Sequence, residues 1–289
     1  MKRLRRGWFG EMAERFDDNR HLGITVCLGL GGIGDSRRMD DGELDVLLRN
    51  ERYPRSAAYP GRWMVDGGMG PNPVWQAEAL AEVMALEAGM RVLDLGCGAA
   101  LSSIFLAKEY GVEVWAADLW VTPDENLRRV ADADLEDRVH PIHAEAHALP
   151  FAEGFFDALV SIGAYHYFGT DDLYLGYYSR FVKRGGRLGI VQPGLVAEYE
   201  ALPPPHLAPY WKWDFCAWHS PAWWRRHWEK TGLVTVEVAD QLPDGWRDWL
   251  QWNEACDQDS GTPGREEAQM LRTDAGQTLG LTRLVAHRN

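Results

Sequence analysis

The chain has 289 residues, of which 46% are hydrophobic, so it is long enough to bury a sizeable core. Its formal net charge of -13 argues against a nucleic-acid partner, because proteins that bind nucleic acid rely on clustered Lys and Arg. Nowhere do about 18 apolar residues follow one another, so the sequence predicts no membrane-spanning helix and no membrane partner.

The first 60 residues show little periodic hydrophobicity and are interrupted by charged residues and glycine. Residues 1–60 are therefore predicted to form an irregular N-terminal extension, weakly ordered at least to about residue 38. Its basic start runs into acidic residues where a signal peptide would be apolar, so no secretion signal is predicted. The four cysteines are far apart and form no C-x-x-C pair, so we expect no metal site, no disulfide framework and a cytoplasmic location.

From residue 72 onwards, predicted helices and strands alternate. The predicted helices are NPVWQAEALAEVMAL, SSIFLAKEYG, PDENLRRVADA, DDLYLGYYSRFVKRGG and SPAWWRRHWEKTG. The predicted strands are MRVLDL, VEVWAAD, VHPIHAEA, FFDALVSIG, RLGIVQP, LVTVEVAD and LGLTRLVAH. This alternation is typical of the α/β class and predicts a doubly wound, mostly parallel, seven-stranded sheet.

We expect one domain over residues 61–289, with insertions at about 195–219 and about 243–275. Nine of the 14 tryptophans lie between residues 211 and 252, so the insertions predict a Trp-rich cap over the sheet. The second insertion also contains a polar helical stretch, WRDWLQWNEACDQD.

The cap is where a substrate would be selected. Clustered Trp and Tyr can stack on a flat aromatic compound or hold a cationic amine, although packing of the cap onto the sheet explains most of these rings. Aromatic and sulfur-containing residues of the N-terminal part are expected to join the cap, namely Tyr59, Trp63 and Met69. Acidic residues in the first insertion favour an amine slightly, although a solvated face explains them as well; they are Glu198, Glu200 and Asp214.

Two glycine-rich stretches compete as the cofactor loop. GLGGIG, residues 29–34, matches the dinucleotide fingerprint, but no packed helix and second strand follow it, so we expect a flexible surface segment outside the catalytic domain. VLDLGCG, residues 92–98, ends a predicted strand and precedes a predicted helix. Asp118 ends the next strand about 20 residues on, where a carboxylate can reach a ribose.

Asp94, the acidic residue ahead of the second loop, indicates which cofactor that loop holds. Asp94 would repel a pyrophosphate at the helix N-terminus, whereas it would attract an ammonium group. Leu101 stands where the third fingerprint glycine would be. Both residues disfavour NAD and favour S-adenosylmethionine.

At these residues the chain resembles the class I S-adenosylmethionine-dependent methyltransferases, in the small-molecule branch that includes quinone-biosynthesis enzymes (type 11). The resemblance covers about residues 72–192 well and the last two strands loosely, and it implies the Rossmann-like methyltransferase fold. HAEAHALPF resembles the family's D-A-x-x-L-P-F signature. This sequence departs from the family in Ala100, where a third glycine is usual, and in Glu145, where aspartate is commoner.

The resemblance also implies cofactor-binding roles. The methionine end would be held by Asp94, Gly96, Cys97 and Gly98. The acidic Asp118 would bind both ribose hydroxyls, while the adenine would lie against Leu119 and be contacted at its edge by Glu145 and Ala146.

The tip of the fourth strand, SIGAYHYFG, faces the reacting methyl group if ligands bind beyond the carboxyl ends of the strands. It resembles the family's S-x-x-A-L-H-H stretch, which places Ser161 at the cofactor and His166 on the first histidine. Imidazole suits a base, so His166 is a candidate base or substrate-orienting group, with a structural or gatekeeping role as the alternative. Tyr165 is a second catalytic candidate that can equally be a core aromatic. The P-P-aromatic and Pro-Cys motifs of nucleic-acid methyltransferases do not occur here.

The sequence thus predicts a methyltransferase that moves a methyl group from S-adenosylmethionine to an O, N, C or S atom of a small molecule. S-adenosylhomocysteine would be the second product. Two alternatives remain at this point, an NAD-dependent oxidoreductase and a protein of this fold that binds S-adenosylmethionine without methylating.

Overall fold

The computed structural model describes residues 38–201, 203–260 and 264–289. The glycine-rich GLGGIG stretch and most of the predicted N-terminal extension lie outside these residues. The boundary predicted at residue 60 stays a prediction.

Seven strands form one sheet. They are β1 (Arg91–Leu95), β2 (Glu113–Asp118), β3 (Val139–His143), β4 (Phe156–Ile162), β5 (Val182–Leu195), β6 (Val234–Gln241) and β7 (Leu279–Arg288). Their order across the sheet is β3-β2-β1-β4-β5-β7-β6. The strands from β1 to β5 pair in parallel, whereas β7 runs antiparallel to both β5 and β6. The predicted doubly wound, mostly parallel sheet is confirmed.

Nine α-helices connect and cover these strands in the described part of the chain. They are α1 (Asp41–Leu47), α2 (Gly61–Gly67), α3 (Pro73–Met84), α4 (Leu101–Tyr110), α5 (Pro123–Asp132), α6 (Tyr174–Tyr178), α7 (Pro221–Glu229), α8 (Gly245–Ser260) and α9 (Gly264–Asp274). Local chemistry sets several helix ends. Asn72 and Ser220 each accept hydrogen bonds from the first turn of α3 and α7, and Thr122 with Glu125 forms a capping box on α5.

The helix predicted over residues 171–186 is wrong. The structure has the short α6, a single turn of 3-10 helix at Ser179–Phe181, and then β5 from Val182. The backbone of Val182 pairs with Phe156 of β4, and residues up to Gly186 bulge before regular pairing resumes at Arg187. Pairing with β4 therefore overrides the helical periodicity of the segment, and the left-handed Gly185 (φ 74°) accommodates the bend.

Helices and the N-terminal segment pack on both faces of the sheet. One face carries α3, α4 and the segment before residue 60, which contributes Leu44, Leu48 and Tyr53 to the buried core. The other face carries α6 and α7, with a cluster of buried aromatic rings. The polar stretch of the second insertion forms helix α8, which packs against α1. The sheet is therefore covered by helices on both faces, and α8 of the second insertion packs against the N-terminal helix α1.

Candidate functional site

The loop after β1 turns tightly at two glycines. Gly96 and Gly98 both have positive φ, at 76° and 54°. A Cβ on Gly96 would lie 2.5 Å from the Cβ of Ala164, and one on Gly98 would lie 3.0 Å from the Sδ of Met69. Only glycine suits such a backbone at such distances. The loop is thereby pressed between the β4 tip and the segment after α2.

Backbone hydrogen bonds tie the same loop to β2. The N–H groups of Gly96 and Cys97 both donate to the carbonyl oxygen of Ala117, over 2.8 and 3.2 Å. Cys97 is almost fully buried, and burial raises the pKa of its thiol well above the ordinary value. Cys97 therefore stays a neutral thiol, and its contribution to the site is the backbone of the loop.

Asp118, the last residue of β2, is the main anchor of the loop. Its Oδ2 accepts from the N–H of Gly98 over 2.8 Å, and its Oδ1 accepts from the N–H groups of Trp120 and Val121 over 2.7 and 2.9 Å. The side chain is 7% exposed. A single carboxylate thus joins the ends of β1 and β2 at the carboxyl edge of the sheet, where ligands of doubly wound folds bind.

Asp94 lies fully buried beneath the loop, in β1. Its Oδ2 accepts from the hydroxyls of Ser102 and Ser103, over 2.6 and 2.7 Å, at the start of α4. Its Oδ1 is buried and has no hydrogen-bond partner among the described residues. Burial raises the pKa of Asp94 to about 6 against the opposing effect of the two serines, and the charge of Asp118 raises it further. A buried acceptor without a donor is costly, so this atom fits a ligand that supplies a positive charge.

The side of the loop nearest β3 offers apolar surface. Leu119 and Trp120, directly after Asp118, are each 46% exposed, although both are large hydrophobic residues. Across from them, the side chain of Glu145 accepts from the N–H of His147 over 3.0 Å, while the carbonyl oxygen of Ala146 accepts from the Tyr174 hydroxyl over 3.0 Å. The predicted adenine contacts therefore lie in an ordered turn with partly exposed side chains.

Two residues predicted to act at the tip of β4, Ser161 and His166, are both buried but have different partners. Ser161 is fully buried, and its hydroxyl donates to the carbonyl oxygen of Leu95 over 2.7 Å, so it links β4 to the end of β1. His166 is 2% exposed, and its Nδ1 has no hydrogen-bond partner in the described ranges. Burial lowers the pKa of His166 to about 4, so its imidazole is neutral near neutral pH.

Tyr165, which the sequence offered either as a catalytic group or as a core aromatic, lies in the core. Its ring is fully buried, and aromatic ring centroids surround it at 5.4 to 5.9 Å, those of Phe168, Tyr174, Tyr178, Trp224 and Trp228. A ring enclosed in this way packs the core between the sheet and α7. We therefore correct the catalytic prediction for Tyr165 to a packing role.

Two supporting residues were not identified from the sequence. Gln192, fully buried in β5, accepts through Oε1 from the backbone N–H of His166 over 2.9 Å. Asn126 of α5, 1% exposed, donates to the carbonyl oxygen of Gly98 over 2.9 Å. The sequence offers only a weak signal for these two residues. Each is an amide at a position where its strand or helix would otherwise bury an apolar side chain.

Of the three N-terminal residues that were predicted to join the cap, two pack against α4 and one contacts the glycine loop. Tyr59 packs against Phe105 of α4, with ring centroids 5.6 Å apart, and its hydroxyl donates to Glu109 over 2.9 Å. Trp63 lies beside Tyr59, at 5.3 Å. These two rings attach the N-terminal segment to α4, whereas Met69 reaches the glycine loop.

Other classes of site are absent from the described part of the chain. Within residues 38–201, 203–260 and 264–289, no three His, Cys, Asp or Glu side chains come together as a metal site. None of the helices described is both long and apolar enough to cross a bilayer.

Comparisons with known proteins agree with this geometry. Residues 92–186 match the family described as methyltransferase domain. Methyltransferase GfsG of Streptomyces halstedii is 35% identical over 114 residues, 39% of this chain and 41% of that protein. A demethylmenaquinone methyltransferase of Clavibacter sepedonicus is 35% identical over 131 residues, 43% of this chain and 49% of that protein. The chain thus spans less than half the length of these relatives.

The fold is shared with solved structures. The geranyl diphosphate C-methyltransferase of Streptomyces coelicolor A3(2), solved with Mg²⁺, geranyl-S-thiolodiphosphate and S-adenosyl-L-homocysteine, superposes with a TM-score of 0.61 at 21% identity. The superposition covers 83% of this chain and 82% of that one. The Rossmann-like architecture expected from the sequence is therefore present.

Proposed function

We propose that this chain, whose residues 92–186 match the methyltransferase domain family, is a class I, S-adenosylmethionine-dependent enzyme that transfers a methyl group to an O, N, C or S atom of a small molecule. S-adenosylmethionine is the proposed methyl donor and S-adenosylhomocysteine the proposed second product. The proposal includes a cytoplasmic location, supported by the widely spaced cysteines.

The observation that carries this proposal is the buried Oδ1 of Asp94 beneath the glycine loop. A carboxylate at this place would repel the pyrophosphate of NAD, and it can accept a charge-assisted hydrogen bond from the ammonium group of a bound amino-acid moiety. The positive φ of Gly96 and Gly98 allows the backbone of this loop to turn tightly directly after β1, the strand that carries Asp94. An oxidoreductase that uses NAD through this loop is therefore disfavoured.

The remaining cofactor contacts extend from Asp94 along the carboxyl edge of the sheet. Asp118 is proposed to accept from a ribose hydroxyl with the lone pair of Oδ2 that its three backbone partners leave available. Leu119 offers exposed apolar surface for the adenine, and Glu145 with Ala146 is proposed to meet the adenine edge. Ser161 acts indirectly, since its hydroxyl holds the carbonyl of Leu95 below the loop.

When bound, S-adenosylmethionine supplies a methyl group on an activated sulfonium, so the chain's own task is to align the acceptor and exclude water. His166 is proposed to take a proton from an acceptor that arrives protonated, or to orient it. Its imidazole is neutral near neutral pH because the pKa is about 4, and since so low a pKa makes it a weak base, the orienting role is the one that burial favours. Gln192 fixes the backbone of His166 through a buried hydrogen bond. Tyr165 has no part in the proposed mechanism.

The deciding experiment has two parts. Titration of the purified chain with S-adenosylhomocysteine and with NADH by calorimetry should show binding of the first and none of the second. Incubation of cell extract with the chain and S-adenosylmethionine carrying a labelled methyl should then yield a labelled small molecule. Tight binding without any labelled product across the extract would contradict a methyltransferase and favour a binding protein of the same fold.

A further inference from the structure

A buried amide near the end of β5 uses only half of its hydrogen-bonding capacity. Gln192 is fully buried. Its Oε1 accepts from the backbone N–H of His166 over 2.9 Å. Its Nε2 is shielded from solvent and has no hydrogen-bond partner among the described residues. The bond to His166 therefore accounts for the acceptor of this side chain and leaves its two N–H donors unexplained.

A second unsatisfied polar atom lies beside this amide. Nδ1 of His166, a residue that is 2% exposed, also lacks a partner in the part of the chain that the structure describes. Because the two polar atoms of an amide are roughly 2.2 Å apart, Nε2 of Gln192 lies within about 5 Å of the backbone nitrogen of His166. The imidazole is close as well. Burial lowers its pKa to about 4, and an interaction with the side chain of Gln192 opposes this. The two residues form one buried group, the His166/Gln192 pair.

The pair lies at the carboxyl edge of the sheet, beside the proposed cofactor loop. The N–H of Gly163, at the tip of β4, donates over 2.8 Å to the carbonyl oxygen of Val191, the neighbour of Gln192. Ala164 packs on the glycine loop, since a Cβ on Gly96 would lie 2.5 Å from its Cβ. The pair is therefore next to the contact between the tip and the loop, where a methyl acceptor has to arrive.

Tyr167 separates the pair from solvent. Its ring centroid is 4.0 Å from that of the His166 imidazole, and the residue is 44% exposed. Partly exposed side chains change rotamer readily. The pair thus lies one ring below the surface of the tip, and a ligand reaches it when the ring of Tyr167 turns aside.

We propose that the His166/Gln192 pair binds a hydroxyl group of the methyl acceptor, and that Gln192 determines this specificity through its free Nε2. This inference rests on the proposed function and narrows its substrate to alcohols and phenols. A hydroxyl oxygen accepts from Nε2 of Gln192. The same hydroxyl also suits Nδ1 of His166 in either neutral tautomer, because it can both donate and accept. The hydroxyl is the group that is recognised and oriented, whichever atom of the acceptor is methylated.

Other polar groups fit the pair less well. An ammonium group has three donors and no acceptor, so it would leave Nε2 of Gln192 unpaired and bring a charge into a buried place. A carbonyl oxygen accepts from Nε2 but suits only the tautomer of His166 that carries its proton on Nδ1. The hydroxyl is therefore the group that satisfies both atoms without a restriction on the tautomer.

The test uses three probes that share a phenyl ring, which can stack on Tyr167, and differ in the polar group. They are 2-phenylethanol, 2-phenylethylamine and phenylacetone. Each is titrated by calorimetry into the full chain, with S-adenosylhomocysteine present. We expect the alcohol to bind at least about tenfold more tightly than the amine, and more tightly than the ketone. Equal or tighter binding of the amine or of the ketone, or no binding of the alcohol, would overturn the proposal.

A variant assigns the preference to Gln192. Gln192→Glu keeps an oxygen for the N–H of His166 and replaces the donor Nε2 by a carboxyl oxygen. Once this carboxyl ionises as the pH is raised, the amine should gain at least about tenfold over the alcohol, because an ammonium group pairs with a carboxylate. Retention of the original preference at every pH would also overturn the proposal, since a residue that only supports the backbone of His166 would not change it.

Two controls separate the possible failures. Gln269→Glu adds the same charge at an exposed position of α9 and should leave all three affinities unchanged. The comparison of the three probes uses the unaltered chain, so it does not depend on the folding of a variant. If S-adenosylhomocysteine itself fails to bind in these titrations, the proposed function is contradicted, whereas its binding without a preference for the alcohol contradicts only the role of the pair.

Discussion

The carboxylate of Asp118 at the end of β2 accepts a hydrogen bond from the backbone N–H of Gly98, in the loop after β1, over 2.8 Å. The same side chain also binds two N–H groups of the turn that follows it. One residue therefore holds the proposed cofactor loop in place and is proposed to offer its one remaining lone pair, on Oδ2, to a ligand. The proposed ribose contact and the geometry of the loop depend on the same carboxylate.

Asp118→Ala is expected to weaken binding of S-adenosylhomocysteine by about tenfold or more, because charge-assisted hydrogen bonds are lost. It should also lower the free energy of unfolding by about 1–3 kcal/mol, since three N–H groups lose their acceptor. Calorimetric titration and denaturant unfolding measure the two effects. Glu113→Ala, at the other end of the same strand, is the matched control and should leave cofactor affinity unchanged.

The sheet and its loop could be predicted from the sequence because their signals are local. A buried strand, a glycine turn and a carboxylate at the end of the next strand all lie within residues 90–118, and the backbone of a doubly wound fold brings them together. The resemblance to a known family added the proposal that Glu145 and Ala146 contact the adenine edge. None of these needed a contact between distant parts of the chain.

The errors arose where distant parts of the chain meet. Pairing with β4 turned the end of the segment predicted as helix 171–186 into a strand. Tyr165 and His166 are neighbours in a 3-10 turn, where the alternation of a strand no longer tells which side chain faces the core.

Asp94 gives a pH dependence of stability. The pKa of its folded-state carboxyl, about 6, is above the ordinary 3.8, so between these values the folded chain holds a proton that the unfolded chain releases. The stability contributed by this group is present below the ordinary pKa and is lost as the pH rises through about 6, which amounts to about 3 kcal/mol.

Asp94→Asn removes this dependence, because an amide cannot ionise. The variant is expected to have a larger free energy of unfolding than the unaltered chain at alkaline pH, with an advantage that shrinks as the pH falls towards the ordinary pKa of aspartate. Denaturant unfolding across this pH range is the measurement. The same variant should bind S-adenosylhomocysteine more weakly, since the ammonium group loses its charged partner. A variant that is less stable at alkaline pH would show that the buried charge has a partner.

Ala100 has a left-handed backbone, with φ 60° and ψ 22°, a conformation that favours glycine. The left-handed conformation costs a residue with a Cβ about 1–2 kcal/mol, so Ala100→Gly should raise the free energy of unfolding by up to about 1 kcal/mol. Ala131→Gly, at an exposed position in α5, is the control and should lower it by a similar amount. The two thermal midpoints should therefore move in opposite directions, and a loss of stability in both variants would contradict the strain at Ala100.

Two substitutions of Tyr165 distinguish a packing role of this residue from a catalytic one. Its hydroxyl is buried and has no hydrogen-bond partner in the part of the chain that the structure describes. Tyr165→Phe keeps the ring and should change stability by less than about 1 kcal/mol and leave turnover unchanged. Tyr165→Ala should lower the free energy of unfolding by about 3–5 kcal/mol, because it opens a cavity among the aromatic rings. A loss of turnover in a stably folded Tyr165→Phe would restore a catalytic role.

His166 is the residue on which a proton-transfer step depends. His166→Gln should lower the rate of methyl transfer to the product found with labelled cofactor by about a hundredfold if the acceptor arrives protonated. The affinity for S-adenosylhomocysteine should stay unchanged, because the imidazole contacts the tip of β4 rather than the glycine loop. His140→Gln, which alters a histidine paired with Glu113 at the far end of β2, should change neither quantity.

The pKa of His166, about 4, also predicts an acid limb of the rate profile near that value, because protonation there removes the base. An acid limb near the ordinary pKa of histidine, abolished in His166→Gln, would show instead that the imidazole meets solvent when the acceptor binds.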